Sequence, residues 1–290
     1  MTGVGVPTRS VTCGATRFGV TSSSRLYFPS HRVLRLGAAR FGRAARSGLL
    51  FSLFGVVAVV VAGTWFPLLS LFDRGRSSEL RAQRAIRWLF SIFVWLGSLI
   101  GSWRVTYTGL ERLGDGPVLI VANHPTLMDV VFLISLLPQA DCVVKRAAWK
   151  NPALSGMVRA AGYIPNTGGT TLVDECAARL QQGRNVVLFP EGSRSPRHGL
   201  GRIQRGAAHI ALQSGCGIVP IVIDCQPPAL KKGDAWYALP DQRLEYRIAV
   251  GSKVYAKDLI DAETSMVLSA RRLSRWFREY FETELQHELA

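Results

Sequence analysis

Short apolar runs separated by stretches of helical periodicity are the strongest constraint on how this 290-residue chain can fold. The runs are Val118–Ala122, Cys142–Val144, Val186–Phe189, Ile218–Ile223 and Leu244–Val250. Each has strand length, and most are apolar at consecutive positions rather than at alternate ones, as in strands buried on both faces. Helical patterns lie between them, near 129–137, 151–161, 171–182 and 202–214, and a charged amphipathic helix follows near 264–288. Strand–helix alternation predicts an α/β fold with a mostly parallel central sheet flanked by helices, spanning 105–290. No internal repeat interrupts the pattern.

A different composition precedes that region. Gly48–Phe72 carries no charge, and about 20 apolar residues suffice to cross a bilayer. A second uncharged stretch, Trp88–Trp103, is shorter and has tryptophan at both ends. Arg74, Arg76, Arg81, Arg84 and Arg87 separate the two. Basic residues on both sides of the first stretch, with Pro67 inside it, suit a hairpin dipping into one leaflet better than a plain span. Residues 48–104 are therefore expected to form an N-terminal apolar membrane helix or helical hairpin, placing the domain that follows on the cytoplasmic face of a membrane. Residues 1–47 hold many arginines and no acid, and are expected to be a basic, disordered tail. The same composition suits an organellar transit peptide, and a start codon set too far upstream produces it too.

The net charge of +15 calls for an anionic partner, either nucleic acid or a membrane surface. The tail runs straight into the apolar segment, which favours membrane lipids. No single element carries a stripe of interleaved basic and aromatic residues, so no nucleic-acid partner is expected. Five scattered cysteines, with no CxxC pair, suggest neither a zinc site nor a disulfide framework. Gly199-Leu200-Gly201 starts a dinucleotide fingerprint, but Gln204 occupies the last glycine position. Neither a GxSxG elbow nor a GxxxxGK loop occurs. Histidines 31, 198, 209 and 287 lack a partner pattern, although His198 stands near Ser195 in the chain.

Two constellations carry chemistry. Asn123-His124-Pro125-Thr126-Leu127-Met128-Asp129 follows the run ending at Ala122. At this spacing, across a turn into a helix, Asp129 can reach one imidazole nitrogen of His124 and leave the other to take a proton. Phe189-Pro190-Glu191-Gly192-Ser193-Arg194-Ser195 follows a second buried strand, offering a carboxylate and a guanidinium on one glycine-containing loop. Reactive groups in open α/β sheets gather where strands end, so the two loops are expected to meet.

Together these blocks resemble the glycerolipid acyltransferase family, which includes the lysophospholipid (1-acylglycerol-3-phosphate) acyltransferases. NHPTLMD is similar to the family's NHxxxxD block and FPEGSRS to its FPEGTRS block. Val219-Pro220-Ile221 and Lys145-Arg146 resemble two shorter blocks. The resemblance implies that His124 is the general base and Asp129 orients it. The acceptor hydroxyl would attack an acyl thioester of coenzyme A or acyl carrier protein, without a covalent acyl-enzyme. It implies binding roles for Glu191, Gly192 and Arg194 at the acceptor, with Asn123 and Ser193 in the same blocks, and for Lys145 and Arg146 near an anionic group. No metal and no cofactor beyond the acyl donor are implied. One departure stands out: Gly162–Gly168 has no basic residue where phosphate-binding members carry an arginine. The implied acceptor is a lysophospholipid such as 1-acylglycerol-3-phosphate. A non-phosphate glycolipid, amino-acid lipid or polyene lipid remains the alternative, as does a non-catalytic lipid-binding member of the same fold.

Overall fold

The computed structural model describes residues 31–64 and 75–289, except 115, 198, 236, 238, 241 and 261–264. Expectations for residues 1–30 and for His198 lie outside the described residues. Ala39–Ala290 forms a compact unit that contains the sheet with its flanking helices. Helix α1 (His31–Gly63) is followed in the chain by α2 (Arg76–Leu99). Strand β1 (Trp103–Thr108) and a 3-10 turn (Leu110–Leu113) lead to β2 (Val118–Ala122) and α3 (Asp129–Leu136). Next come β3 (Asp141–Lys145), the short α4 (Arg146–Lys150), α5 (Pro152–Ala160) and β4 (Ile164–Asn166). The remaining elements are α6 (Gly169–Gln181), β5 (Val186–Leu188), α7 (Gly206–Ser214), β6 (Gly217–Gln226), β7 (Leu244–Val250), α8 (Ala256–Leu259) and α9 (Met266–Leu289).

The strands form one sheet in the order β1-β7-β6-β2-β5-β3-β4. Strands β6, β2, β5, β3 and β4 are mutually parallel. β7 pairs antiparallel with β6 and parallel with β1, so these two strands at one end of the sheet run the other way. The expected mostly parallel sheet is present, with β1 and β4 as strands the apolar runs did not mark.

The pleat sorts side chains into two cores. Val118, Ile120 and Ala122 of β2 join α2, α3 and α5 on one face. Leu119 and Val121 join α6, α7 and α9 on the other. All five residues of β2 are buried, which is why that strand reads as a continuous apolar run.

The Trp88–Trp103 stretch has a different role from the expected membrane arm. Ile86, Phe90, Phe93 and Gly97 of α2 are buried against the domain, and Trp103 begins β1 within the core. Charge-free sequence arises here because one face of α2 packs on protein. Only its other face exposes Trp88, Trp95 and Leu99. Among the described residues no helix is long and apolar enough to cross a membrane.

An aromatic seam joins these helices to the sheet. Phe54 and Phe51 of α1 pack against Phe93, with centroids 4.0 and 5.5 Å apart, and Phe93 packs on Trp103 at 5.4 Å. Trp103 then meets Phe132 of α3 at 6.3 Å, and Phe132 meets Tyr246 of β7 at 4.5 Å. Far along the sheet a buried ionic cluster fastens α2 a second time: Arg184 lies between Glu79 and Asp141, and Gln83 donates to Asp141 at 2.9 Å.

Gly97 is where α2 comes closest to Trp103. A Cβ there would stand 1.8 Å from the buried indole. Gly97→Ala should therefore destabilise the domain by about 1–3 kcal/mol, the usual cost of overpacking a core. A thermal melt of the purified protein checks this, and an unchanged or raised Tm would refute the close-approach argument.

Candidate active site

The carboxyl ends of the parallel strands bring both constellations together. β2 and β5 are neighbours, with Val121 opposite Leu188, so the loop after each emerges beside the other. Lys145 ends β3 and Asn166 ends β4 at the same edge.

His124 Nδ1 lies 2.8 Å from Asp129 Oδ2. Asp129 is fully buried at the first position of α3, where the helix N-terminus favours a negative charge. The backbone N–H of Thr126 also donates to Asp129 Oδ2 at 2.8 Å, and the Thr126 hydroxyl donates to Oδ1 at 2.5 Å. With Nδ1 engaged, Nε2 is the nitrogen left for chemistry. The imidazole stacks on Phe189, centroids 4.3 Å apart and rings inclined by 28°.

Glu191 faces inward. Its Oε1 accepts from the His124 backbone N–H at 2.8 Å and from the Ser195 hydroxyl at 2.9 Å, and Oε2 accepts from the Gly201 N–H at 2.7 Å. The Ser195 N–H donates in turn to the His124 carbonyl at 2.7 Å. A Cβ at 201 would stand 2.4 Å from Glu191 Oε2, so glycine is what lets that chain segment approach. Asn123 is likewise turned in: its amide donates to the Ile223 carbonyl at 2.8 Å and accepts from the Ile223 N–H at 2.7 Å, clamping the His124 loop to β6. These two residues hold the site and do not line it.

A cleft of about 350 Å³ opens beside His124. Gly192, Ser193, Arg194 and Lys145 line it together with the apolar Leu127, Val130, Val143, Val144, Leu188 and Phe189. Gly192 has φ +67°, a left-handed turn that glycine adopts without strain. Arg194 Nη1 donates to the carbonyls of Leu230 and Lys231 at 3.0 and 2.9 Å, while the residue still borders the cleft. Arg146 is exposed at the start of α4, outside the lining, and Arg159 stacks over Trp149 at 5.3 Å. At β4 the wall is the neutral Asn166.

Thiol chemistry has no foothold among the buried cysteines. Burial pushes Cys142, Cys176 and Cys225 each up to about 12, so all three stay protonated at neutral pH. Among the described residues no group of three or more His, Cys, Asp or Glu side chains is placed to hold a metal ion.

Motif reading found His124 and Asp129 but missed Thr126, Ser195, Phe189 and Leu230. Thr126 and Ser195 lie inside the two blocks, where a hydroxyl beside a carboxylate was the available signal. Leu230 lies in no block. Its φ of +55° is unusual for a side-chain-bearing residue, and its carbonyl accepts from both Arg194 and the Leu127 N–H.

A family model described as Acyltransferase matches residues 104–224. The chain is 28% identical over 183 residues to a chloroplastic 1-acyl-sn-glycerol-3-phosphate acyltransferase of Brassica napus, covering 60% of this chain and 51% of that one. It is 25% identical over 200 residues to a lyso-ornithine lipid O-acyltransferase of Pseudomonas aeruginosa, covering 67% of this chain and 74% of that one. The chain spans about half the length of several of the curated relatives it matches. The crystal structure of the 1-acyl-sn-glycerophosphate acyltransferase PlsC from Thermotoga maritima shares the fold, with a TM-score of 0.64 at 20% identity over 86% of this chain and 98% of that one. Both chemical blocks lie inside the segment over which the chain is similar to the Acyltransferase family.

Proposed function

We propose that the protein is a membrane-associated O-acyltransferase that moves a fatty acyl group from a coenzyme A or carrier-protein thioester to the hydroxyl of a lysophospholipid such as 1-acylglycerol-3-phosphate. The observation carrying this reading is the 2.8 Å contact between His124 Nδ1 and the buried Asp129, on the wall of a cleft that is otherwise largely apolar. In the reaction Nε2 takes the proton of the acceptor hydroxyl as its oxygen attacks the thioester carbonyl. The tetrahedral adduct collapses by breaking the C–S bond, and the imidazolium returns its proton to the departing thiolate. Proton transfer of this kind is typically worth about 10²–10⁴-fold in rate. Leu127, Val130, Val143, Val144, Leu188 and Phe189 suit the acyl chain, while Lys145 and Arg194 supply positive charge for an anionic headgroup or donor. Ser193 and Gly192 border the acceptor, and Arg146 stands outside the rim as a further attraction for anions. Asn123 and Glu191 act on the substrate only through the loops they hold.

Membrane association rests on the apolar surface of the two N-terminal helices. Leu49, Leu53, Val56, Val59 and Val60 of α1 and Trp88, Trp95 and Leu99 of α2 are exposed, although residues of these types are normally withdrawn from water. Tryptophan at such a surface suits the lipid interface. Arg84 on α2 is exposed as well, which suits an anionic leaflet.

Asn166 favours a second acceptor class. A neutral amide in place of a guanidinium suits a lysolipid without a phosphate monoester, such as an amino-acid lipid. That is also the acceptor class in the name of the Pseudomonas aeruginosa relative.

Purified protein assayed with oleoyl-CoA and 1-oleoylglycerol-3-phosphate or lyso-ornithine lipid tests these assignments. His124→Ala and Asp129→Asn should each lower kcat by roughly 10²-fold or more while leaving the thermal melt in place. Near-wild-type turnover in either defeats the catalytic assignment. Asn166→Arg should raise kcat/KM for the phosphate acceptor about tenfold relative to lyso-ornithine lipid, the scale of one charged hydrogen bond. An unchanged ratio removes this residue from acceptor choice. Replacing Trp88 and Trp95 together by serine should weaken flotation with phosphatidylglycerol vesicles about tenfold. Full binding by the double variant would refute this surface as the membrane contact.

A further inference from the structure

We infer that Thr126 and Tyr246 are positioning residues that make Asp129 a pure acceptor and thereby hold His124 with its proton on Nδ1 and Nε2 bare. This deepens the proposed reaction and rests on it for its functional meaning, but the proton arrangement stands on its own geometry.

Two backbone groups fix the direction of two of these bonds. The Met128 N–H can only donate, and it points at Thr126 Oγ1 from 3.2 Å. The Thr126 N–H can only donate, and it points at Asp129 Oδ2 from 2.8 Å. Tyr246 approaches from β7 and donates its hydroxyl to Thr126 Oγ1 at 3.4 Å. Burial holds that phenol well above its ordinary range, so it keeps its proton. A threonine hydroxyl has one hydrogen and two lone pairs. Met128 and Tyr246 occupy the lone pairs, which leaves the hydrogen aimed at Asp129 Oδ1, 2.5 Å away.

Asp129 thus receives a donor on Oδ1 and another on Oδ2 apart from His124. With both oxygens already accepting, the carboxylate meets His124 as an acceptor, so the proton they share belongs to the imidazole Nδ1. Thr126 and Asp129 are fully buried and Tyr246 is 1% exposed, so water does not compete for these bonds. Tyr246 lies beyond the matched segment 104–224, on the reversed strand β7. The outermost member of the chain of bonds therefore comes from a part of the fold that the shared blocks do not include.

The proton arrangement is read by ¹⁵N NMR of histidine-labelled protein, with the His124 signals identified by their loss in His124→Gln. Wild type should show a neutral ring protonated at Nδ1. Thr126→Val keeps the shape and removes the hydroxyl. It should shift a substantial share of His124 to the Nε2-protonated form and lower kcat roughly tenfold or more, with KM within about twofold. That loss falls short of the about 10⁴-fold cost of a wrong tautomer in a serine-protease triad. Thr126→Ser should restore both readouts. Tyr246→Phe should move both in the same direction by less, and it decides the matter if Thr126→Val does not fold. A folded Thr126→Val protein with its His124 proton still wholly on Nδ1 overturns the inference. So does an unchanged tautomer in Tyr246→Phe where Thr126→Val is unfolded. The NMR readout needs no substrate, so a tautomer shift in a protein that acylates neither acceptor refutes the proposed reaction and leaves this assignment intact.

Discussion

The buried carboxylate of Glu191 is the contact on which the geometry of this site depends. It reaches across two strand ends to the backbone of His124 while also holding Ser195 and Gly201. Without such a tie, two loops leaving neighbouring strands would be free to drift by the ångström or so that separates productive from unproductive placement. A residue that reads as a ligand for substrate is here the joint between His124 and its surroundings. Asn123 does the same toward β6, so the segment bearing His124 is fastened on both sides.

Behind the site, support comes from aromatic packing. Phe93, Trp103, Phe132 and Tyr246 touch in succession, carrying contact from the N-terminal helices to the floor under Thr126. Helix α2 is therefore a structural layer of the α/β domain on its inner side, whatever its outer side meets. The ionic group of Glu79, Asp141 and Arg184 anchors the same helix at another point. Asp141 is fully buried, and a charge so placed persists only with its partner present.

The central strands were plain in the sequence because β2, β5 and β6 are covered on both faces and so run apolar without a break. β1 was hidden: its residues Arg104 to Thr108 alternate between exposed and half-buried, and Trp103 looked like the end of the preceding apolar stretch. β4 is three residues long and contains Pro165, too little for a pattern. The stretch Trp88–Trp103 read as part of a membrane arm, because a helix face packed on a domain lacks charge for the same reason as one in a bilayer. At the site, the pairing of His124 with Asp129 was legible as residue type and spacing. The inward direction of Asn123 and Glu191 was not, since a motif names a polar group without saying which way it points. Tyr246 and Leu230 reach the site only through tertiary folding.

Phe189 gives the site a property beyond shape. Its ring lies nearly flat against the imidazole, 4.3 Å away. While the ring is neutral this is ordinary stacking of two planar groups. Once the imidazole becomes a cation it faces the electron-rich side of a benzene ring, an attraction worth about 0.5–2 kcal/mol depending on how dry the surroundings are. In the proposed reaction the greasy wall would thus favour the moment when His124 carries the extra proton.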